Sequence, residues 1–249
     1  TIVFQSRAGT PELNCCSVNG PRGWSLLTDW AVMSAADGPV LNWLGPVTIR
    51  TTLPNKAPLT LRVTGNYPWQ LTTTIAVETE SDQTFTLRLR VPEWSRATAA
   101  QLNGTALTGL KPGTYLTLAR TWHRGDRILL AFDHTVRAVM GSHEARGQAS
   151  LYRGPILLAW DQRLHSFDEP ALPPIQLGGL TSARVVPPTG IAGRFPPQLV
   201  VELPAADGRT LRLCDFATAG ALGTHYRTWL PVKDAPPAPA VTRLPRDGA

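Results

Sequence analysis

Three cysteines stand in this chain, and two of them are neighbours, in Asn14-Cys15-Cys16-Ser17-Val18-Asn19-Gly20-Pro21-Arg22-Gly23. A cysteine thiolate is a nucleophile and a soft metal ligand, and a helix N-terminus lowers the thiol pKa and so favours that form. Pro21 suits the first turn of a helix. Trp24, Leu27, Trp30, Ala31 and Ser34 then recur at three- and four-residue steps. The spacing predicts an amphipathic helix over 21–36, stopped by Asp37-Gly38-Pro39, with the cysteine pair at its mouth. Zinc takes cysteine sulfur at ~2.3 Å and normally four ligands. The pair offers two, and no Cys-x-x-Cys or His-x-x-x-His spacing occurs elsewhere. On spacing alone, two small buried residues at a loop-to-helix junction account for the pair as well as half a metal site does.

The other reactive side chains carry weaker signals. A disulfide between adjacent cysteines is strained, and three cysteines make no disulfide framework in a chain this long. Cys214, in Leu211-Arg212-Leu213-Cys214-Asp215-Phe216, reads as a buried strand residue. His123, His134, His143, His165 and His225 have no ligand spacing and read as surface or turn residues. The carboxylates Glu12, Glu78, Glu80, Glu93, Asp126, Asp133, Glu144, Asp168, Glu169 and Asp215 fall mostly on strand faces or turns, where solvation is the ordinary reading. Trp69, Trp94, Trp122, Trp160 and Trp229 could stack on sugars, but aromatic side chains more commonly fill cores.

The elements that must position these groups are mostly strands. From Val40 onward the apolar pattern has period two, as in Val47–Thr51, Leu59–Val63 and Thr84–Val91. Asn103-Gly104 is a hairpin signal, and Tyr115–Ala119 with Arg127–His134 predict another hairpin around His123-Arg124-Gly125-Asp126. Further strands are expected at Ser150–Tyr152, Ile156–Trp160, Leu199–Leu203, Thr210–Asp215 and Tyr226–Pro231. The fold class expected is mainly β: antiparallel β-sandwich modules behind one helix. Residues 1–38 hold the cysteine loop and helix, 39–140 one sandwich, 141–233 a second, and 234–249 a Pro/Ala-rich tail.

Composition narrows the function classes. The chain has 249 residues, 43% of them hydrophobic, which excludes disorder for want of apolar residues. No run of 18 apolar residues exists, so no transmembrane helix is expected. The net charge of +6 comes from dispersed arginines, such as Arg88 and Arg90 alternating with Leu87, Leu89 and Val91. A solvated basic surface explains that pattern better than a nucleic-acid interface, where basic residues cluster. The first residues carry neither a basic n-region nor an apolar signal core, which leaves the compartment open.

The cysteine string resembles the segment that closes the helical catalytic barrel in glycoside hydrolase family 127, the β-L-arabinofuranosidases. Further segments resemble that family in the same order: Asn66-Tyr67-Pro68-Trp69, Phe85–Trp94, Leu102-Asn103-Gly104, Arg120–Asp126 and Arg153-Gly154-Pro155. The resemblance implies an (α/α)₆ barrel followed by β-sandwich domains, with the predicted helix as the last of the barrel. It also implies retaining hydrolysis of terminal β-L-arabinofuranosyl residues by a zinc-bound cysteine. On that match Cys15 is the nucleophile and a zinc ligand, and Cys16 is a second ligand. The general acid and the remaining ligands, a Glu-x-Cys motif, belong to a barrel this chain lacks. The expected partners are therefore an arabinose-containing glycan and the missing helical domain, and the chain by itself is expected to be inactive. Two rival readings stand beside this one: a non-catalytic carbohydrate-binding or accessory β-sandwich with structural cysteines, and an assembly module that forms a homodimer.

Overall fold

The computed structural model describes residues 15–189, 191, 195–233 and 235, with side chains from residue 19 onward. The tail expected over 234–249 lies outside them except for residue 235. The described residues are mainly β, with one α-helix among them, at their start. It forms two compact units that meet in sequence between His134 and Thr135.

In the first unit, α1 (Cys15–Ala31) begins six residues earlier and ends five residues earlier than the pattern predicts. Pro21 is inside the helix, where it removes one backbone hydrogen bond. The helix stops at Ala31 because the next residues form a hairpin. Strand β1 (Val32–Ala35) pairs with β2 (Gly38–Leu41) across the Ala36-Asp37 turn. Asn42 holds the helix end: its backbone N–H donates to the Ala31 carbonyl at 2.9 Å and its side-chain amide to the Trp30 carbonyl at 2.9 Å. Carbonyls in a last helical turn have no partner within the helix, so this residue supplies one.

Two sheets face each other across the unit's core. The first has the order β1-β2-β6-β9, with β6 (Gln83–Arg90) and β9 (Tyr115–Trp122) antiparallel. It departs from the expected all-antiparallel pattern at one place, where β2 runs parallel to β6. The second sheet is antiparallel throughout. Its order is β3 (Val47–Thr52), β4 (Pro58–Thr64), β5 (Thr72–Thr79), β10 (Arg127–Ala131), β7 (Ala99–Leu102) and β8 (Thr105–Leu107). Alternate residues of both sheets meet in one cluster, with Leu41, Leu87 and Leu89 from the first and Leu59, Leu61, Ile75 and Ile128 from the second. The Asn103-Gly104 hairpin forms as predicted, with both residues at positive φ, as a tight two-residue turn requires. The hairpin predicted around 123–126 does not form. β9 pairs with β6 in one sheet and β10 pairs with β5 and β7 in the other, so the turn carries the chain across the sandwich.

Gly38 shows how closely β2 approaches its neighbour. Its φ is +147°, and a Cβ placed there would lie 2.1 Å from the Thr86 carbonyl oxygen. Beside it, Arg88 makes two hydrogen bonds, of 2.7 and 2.9 Å, to the Asp37 carboxylate. Those bonds hold the Asp37 carboxyl well below the usual carboxylate range.

The second unit carries one eight-stranded sheet where a second sandwich of two sheets is predicted. The order is β11 (Val136–Met140), β12 (Gln148–Arg153), β13 (Ile156–Asp161), β16 (Thr210–Asp215), β15 (Val200–Pro204) and β14 (Arg184–Val186). Two short strands, β17 (Tyr226–Arg227) and β18 (Leu230–Pro231), add to β13 and β12. β12 gives one edge to β11 and divides the other between β13 and β18. Sharing one strand's edge in this way curls the sheet, so that Leu151, Leu158, Trp160, Ile175, Val201 and Leu213 are enclosed within the unit. The predicted boundary at 140/141 moves to 134/135 because β11 pairs with β12.

Candidate functional site

The backbone of Cys15 and Cys16 lies in the first turn of α1, not ahead of it. The first four N–H groups of a helix have no partner within it, so the pair occupies the positive end of the helix dipole. Their side chains fall outside the described residues. At a rise of 1.5 Å per residue, Cys15 stands roughly 24 Å along the axis from Ala31, where the helix joins the sheet. Among the described residues no group of three or more His, Cys, Asp or Glu side chains could hold a metal.

The helix exposes the stripe that its spacing foretells. Trp24 is 75% exposed and Trp30 57%, with Leu27 also exposed. Between the helix and the sheet runs an apolar groove of about 420 Å³, lined among others by Leu27, Ala31, Val32, Trp43, Val47 and Ile49. Exposed apolar area on this scale has to be covered for the helix to be stable, since burial of one aromatic side chain removes ~150–250 Å² from water.

The motif residues do architectural work. The Asn103 side-chain amide donates to the Asp126 carboxylate at 2.7 Å, and the Asn103 side-chain oxygen accepts from the Arg127 N–H at 2.8 Å. Asp126 also accepts from the His123 N–H at 3.0 Å. Its burial opposes ionisation, yet these hydrogen bonds and Arg120 keep its pKa below the ordinary value. Two segments that are far apart in sequence thus form one bridged pair of turns. Tyr67, before a cis Pro68, packs edge-on against Phe132, and Trp94 tilts against the same ring. Trp122 is fully buried, stacks on Phe85 and donates to its carbonyl.

Several polar groups in the second unit depart from the solvated reading. Asp215 is fully buried and accepts from the Gln198 and Leu199 N–H groups. Asp161, which the sequence did not single out, is also fully buried. Its carboxylate accepts from the Arg163 guanidinium at 2.8 Å, the Gly220 N–H at 2.8 Å and the Thr224 hydroxyl at 3.2 Å. His165 is half-buried at the end of a 3-10 turn. It stacks on Trp160, contacts Phe167, and its Nε2 accepts the Arg212 N–H at 3.1 Å. Burial pushes its pKa below 6.5. Cys214 is buried as expected, and burial raises its thiol pKa to about 12. Trp160 belongs to the core, whereas Trp229 is 38% exposed.

Residues 42–134 match the family model of the GH127 middle domain of β-L-arabinofuranosidases. The matched residues lie within the first unit. The match ends at His134, where the sandwich gives way in sequence to the curled sheet. Among curated proteins none matches the chain. Among solved structures, a glycoside hydrolase is 20% identical with a TM-score of 0.75, and the match covers 93% of this chain and 43% of that one. A GH127 β-L-arabinofuranosidase from Geobacillus stearothermophilus T6 is 21% identical with a TM-score of 0.70, covering 88% of this chain and 37% of that one. A second GH127 β-arabinofuranosidase is 20% identical with a TM-score of 0.73, covering 88% and 38%. These likenesses show a shared fold. The chain spans about two fifths of the length of the GH127 structures it resembles.

Proposed function

We propose that this chain is the β-domain region of a retaining glycoside hydrolase acting on arabinofuranosides, and that it acts together with a helical domain it does not itself contain. The GH127 middle-domain match over residues 42–134 carries this reading. The exposed stripe of α1 supports it, since Trp24, Leu27 and Trp30 have the spacing of a helix that packs among other helices. The helical domain is the partner, and α1 is the element that joins it.

In this reading Cys15 is the nucleophile. Its thiolate attacks the anomeric carbon as the glycosidic C–O bond breaks, and a general acid outside this chain protonates the departing oxygen. Water then cleaves the C–S bond and releases the sugar with its configuration retained. Cys16 and Cys15 are sulfur donors of the kind zinc takes, and zinc bound there would favour their thiolate forms. The helix terminus acts on both in the same direction.

The test uses the complete polypeptide, extended upstream until the helical domain is whole. It should hydrolyse an aryl β-L-arabinofuranoside and contain one zinc. Cys15→Ala should abolish turnover, and Cys16→Ala should lower zinc content. The 249-residue chain alone should show no turnover. Unchanged turnover in Cys15→Ala, or turnover by the short chain alone, refutes the proposal.

A further inference from the structure

We infer that a cleft in the second unit, lined by Gln162, Asp168, Glu169, Pro170, His225 and Arg227, binds the pentose units of a glycan. The cleft measures about 550 Å³, within the usual range for small-ligand sites. Of its six lining residues only Pro170 is apolar; the others carry an amide, two carboxylates, an imidazole and a guanidinium. Such planar polar groups suit a polyol, because every hydroxyl both donates and accepts. Carboxylates accept, the guanidinium donates, and the amide does both.

Other ligand classes fit less well. Two carboxylates face one guanidinium and one histidine, so the cleft does not attract phosphates or nucleic acid. No grouping of acidic and histidine side chains here could hold a metal.

The walls are held in place before any ligand arrives. The Gln162 side chain donates to Asp168 at 2.6 Å. Arg227 lies 3.3 Å from one oxygen of Glu169, and His225 Nδ1 lies 3.5 Å from the other. The Gln162 N–H donates to the His225 carbonyl at 3.0 Å, which ties the two sides together. Asp161, next to Gln162, fixes the loop that leads to His225 through Gly220 and Thr224. Preformed walls reduce the ordering cost of binding.

The choice of pentose as the sugar rests on the arabinofuranoside reading above, whereas the site itself does not involve Cys15. The experiment is titration of the 249-residue chain with an arabinofuranosyl trisaccharide, followed by calorimetry and saturation-transfer NMR. Saturable millimolar binding is expected, about tenfold weaker in both Glu169→Gln and Gln162→Ala, each of which removes a charged or amide hydrogen-bonding group. Binding should be unchanged in a Cys15→Ser, Cys16→Ser chain, so failure of the catalytic reading leaves this result standing. No saturable binding, binding equal in wild type and both cleft variants, or binding of calcium or phosphate in place of the sugar each overturns the inference.

Discussion

Replacing Asp161 by alanine tests whether the second unit depends on one buried ion pair. Asp161 is fully buried, and Arg163 beside it is only 7% exposed. The carboxylate takes hydrogen bonds from the Arg163 side chain and backbone, the Gly220 N–H and the Thr224 hydroxyl. Its removal leaves a buried guanidinium with the Thr218 carbonyl as a remaining partner. Breaking a buried pair from one side costs about 3–5 kcal/mol, a large share of the roughly 5–15 kcal/mol that stabilises a domain. Removing both charges is a different perturbation. Asp161→Leu with Arg163→Met leaves no orphaned charge and should recover most of the loss. The measurement is native-state hydrogen exchange of the amides of β13 and β16, which report opening of this unit alone. Asp161→Ala should speed their exchange by roughly two to three and a half decades. If the double variant exchanges as fast as the single one, the loss is due to the missing hydrogen bonds and not to the uncompensated charge, and the reasoning fails.

Three further outcomes are expected. His165 has a folded pKa below its unfolded value of 6.5 because it is buried, so protons bind the unfolded chain more readily; stability of the second unit should be full above about pH 6.5 and fall as pH drops below it. His165→Gln should flatten that slope in urea titrations run across pH 5–7. In a Cys15→Ser, Cys16→Ser chain, Cys214 should not react with a thiol reagent at pH 8 until denaturant opens the sheet, since burial raises its pKa to about 12. Gly38→Ala should lower the stability of the first unit by more than about 1 kcal/mol in thermal unfolding, because its Cβ would meet the Thr86 carbonyl at a φ that alanine avoids.

Much of the first unit was legible from period-two patterning. The faces of β4 alternate as Leu59, Leu61 and Val63 demand, and β6 buries Phe85, Leu87 and Leu89 as expected, with Thr86 buried between them. The Asn103-Gly104 hairpin was legible for the same reason: its turn chemistry is local. What failed was set by distant pairing. Nothing within Val32–Ala35 distinguishes a fourth helical turn from a strand until Gly38–Leu41 lies beside it. The turn at 123–126 looks like a hairpin locally, and only the partners of β9 and β10 show that it crosses between sheets. Of the candidate site, the cysteine pair and the apolar stripe of α1 were visible in the residues. The buried roles of Asp161, Asp215 and His165 were not, because each depends on groups up to tens of residues away.

The bridge between Asn103 and Asp126 bears on how such chains are recognised. The words by which the sequence resembles the GH127 family, Leu-Asn-Gly and Arg-Thr-Trp-His-Arg-Gly-Asp, are the clamps that hold two turns of a scaffold together. A protein could keep every one of them after losing its reactive sulfurs, and a search keyed to these words would find the frame whether or not the engine is still mounted in it.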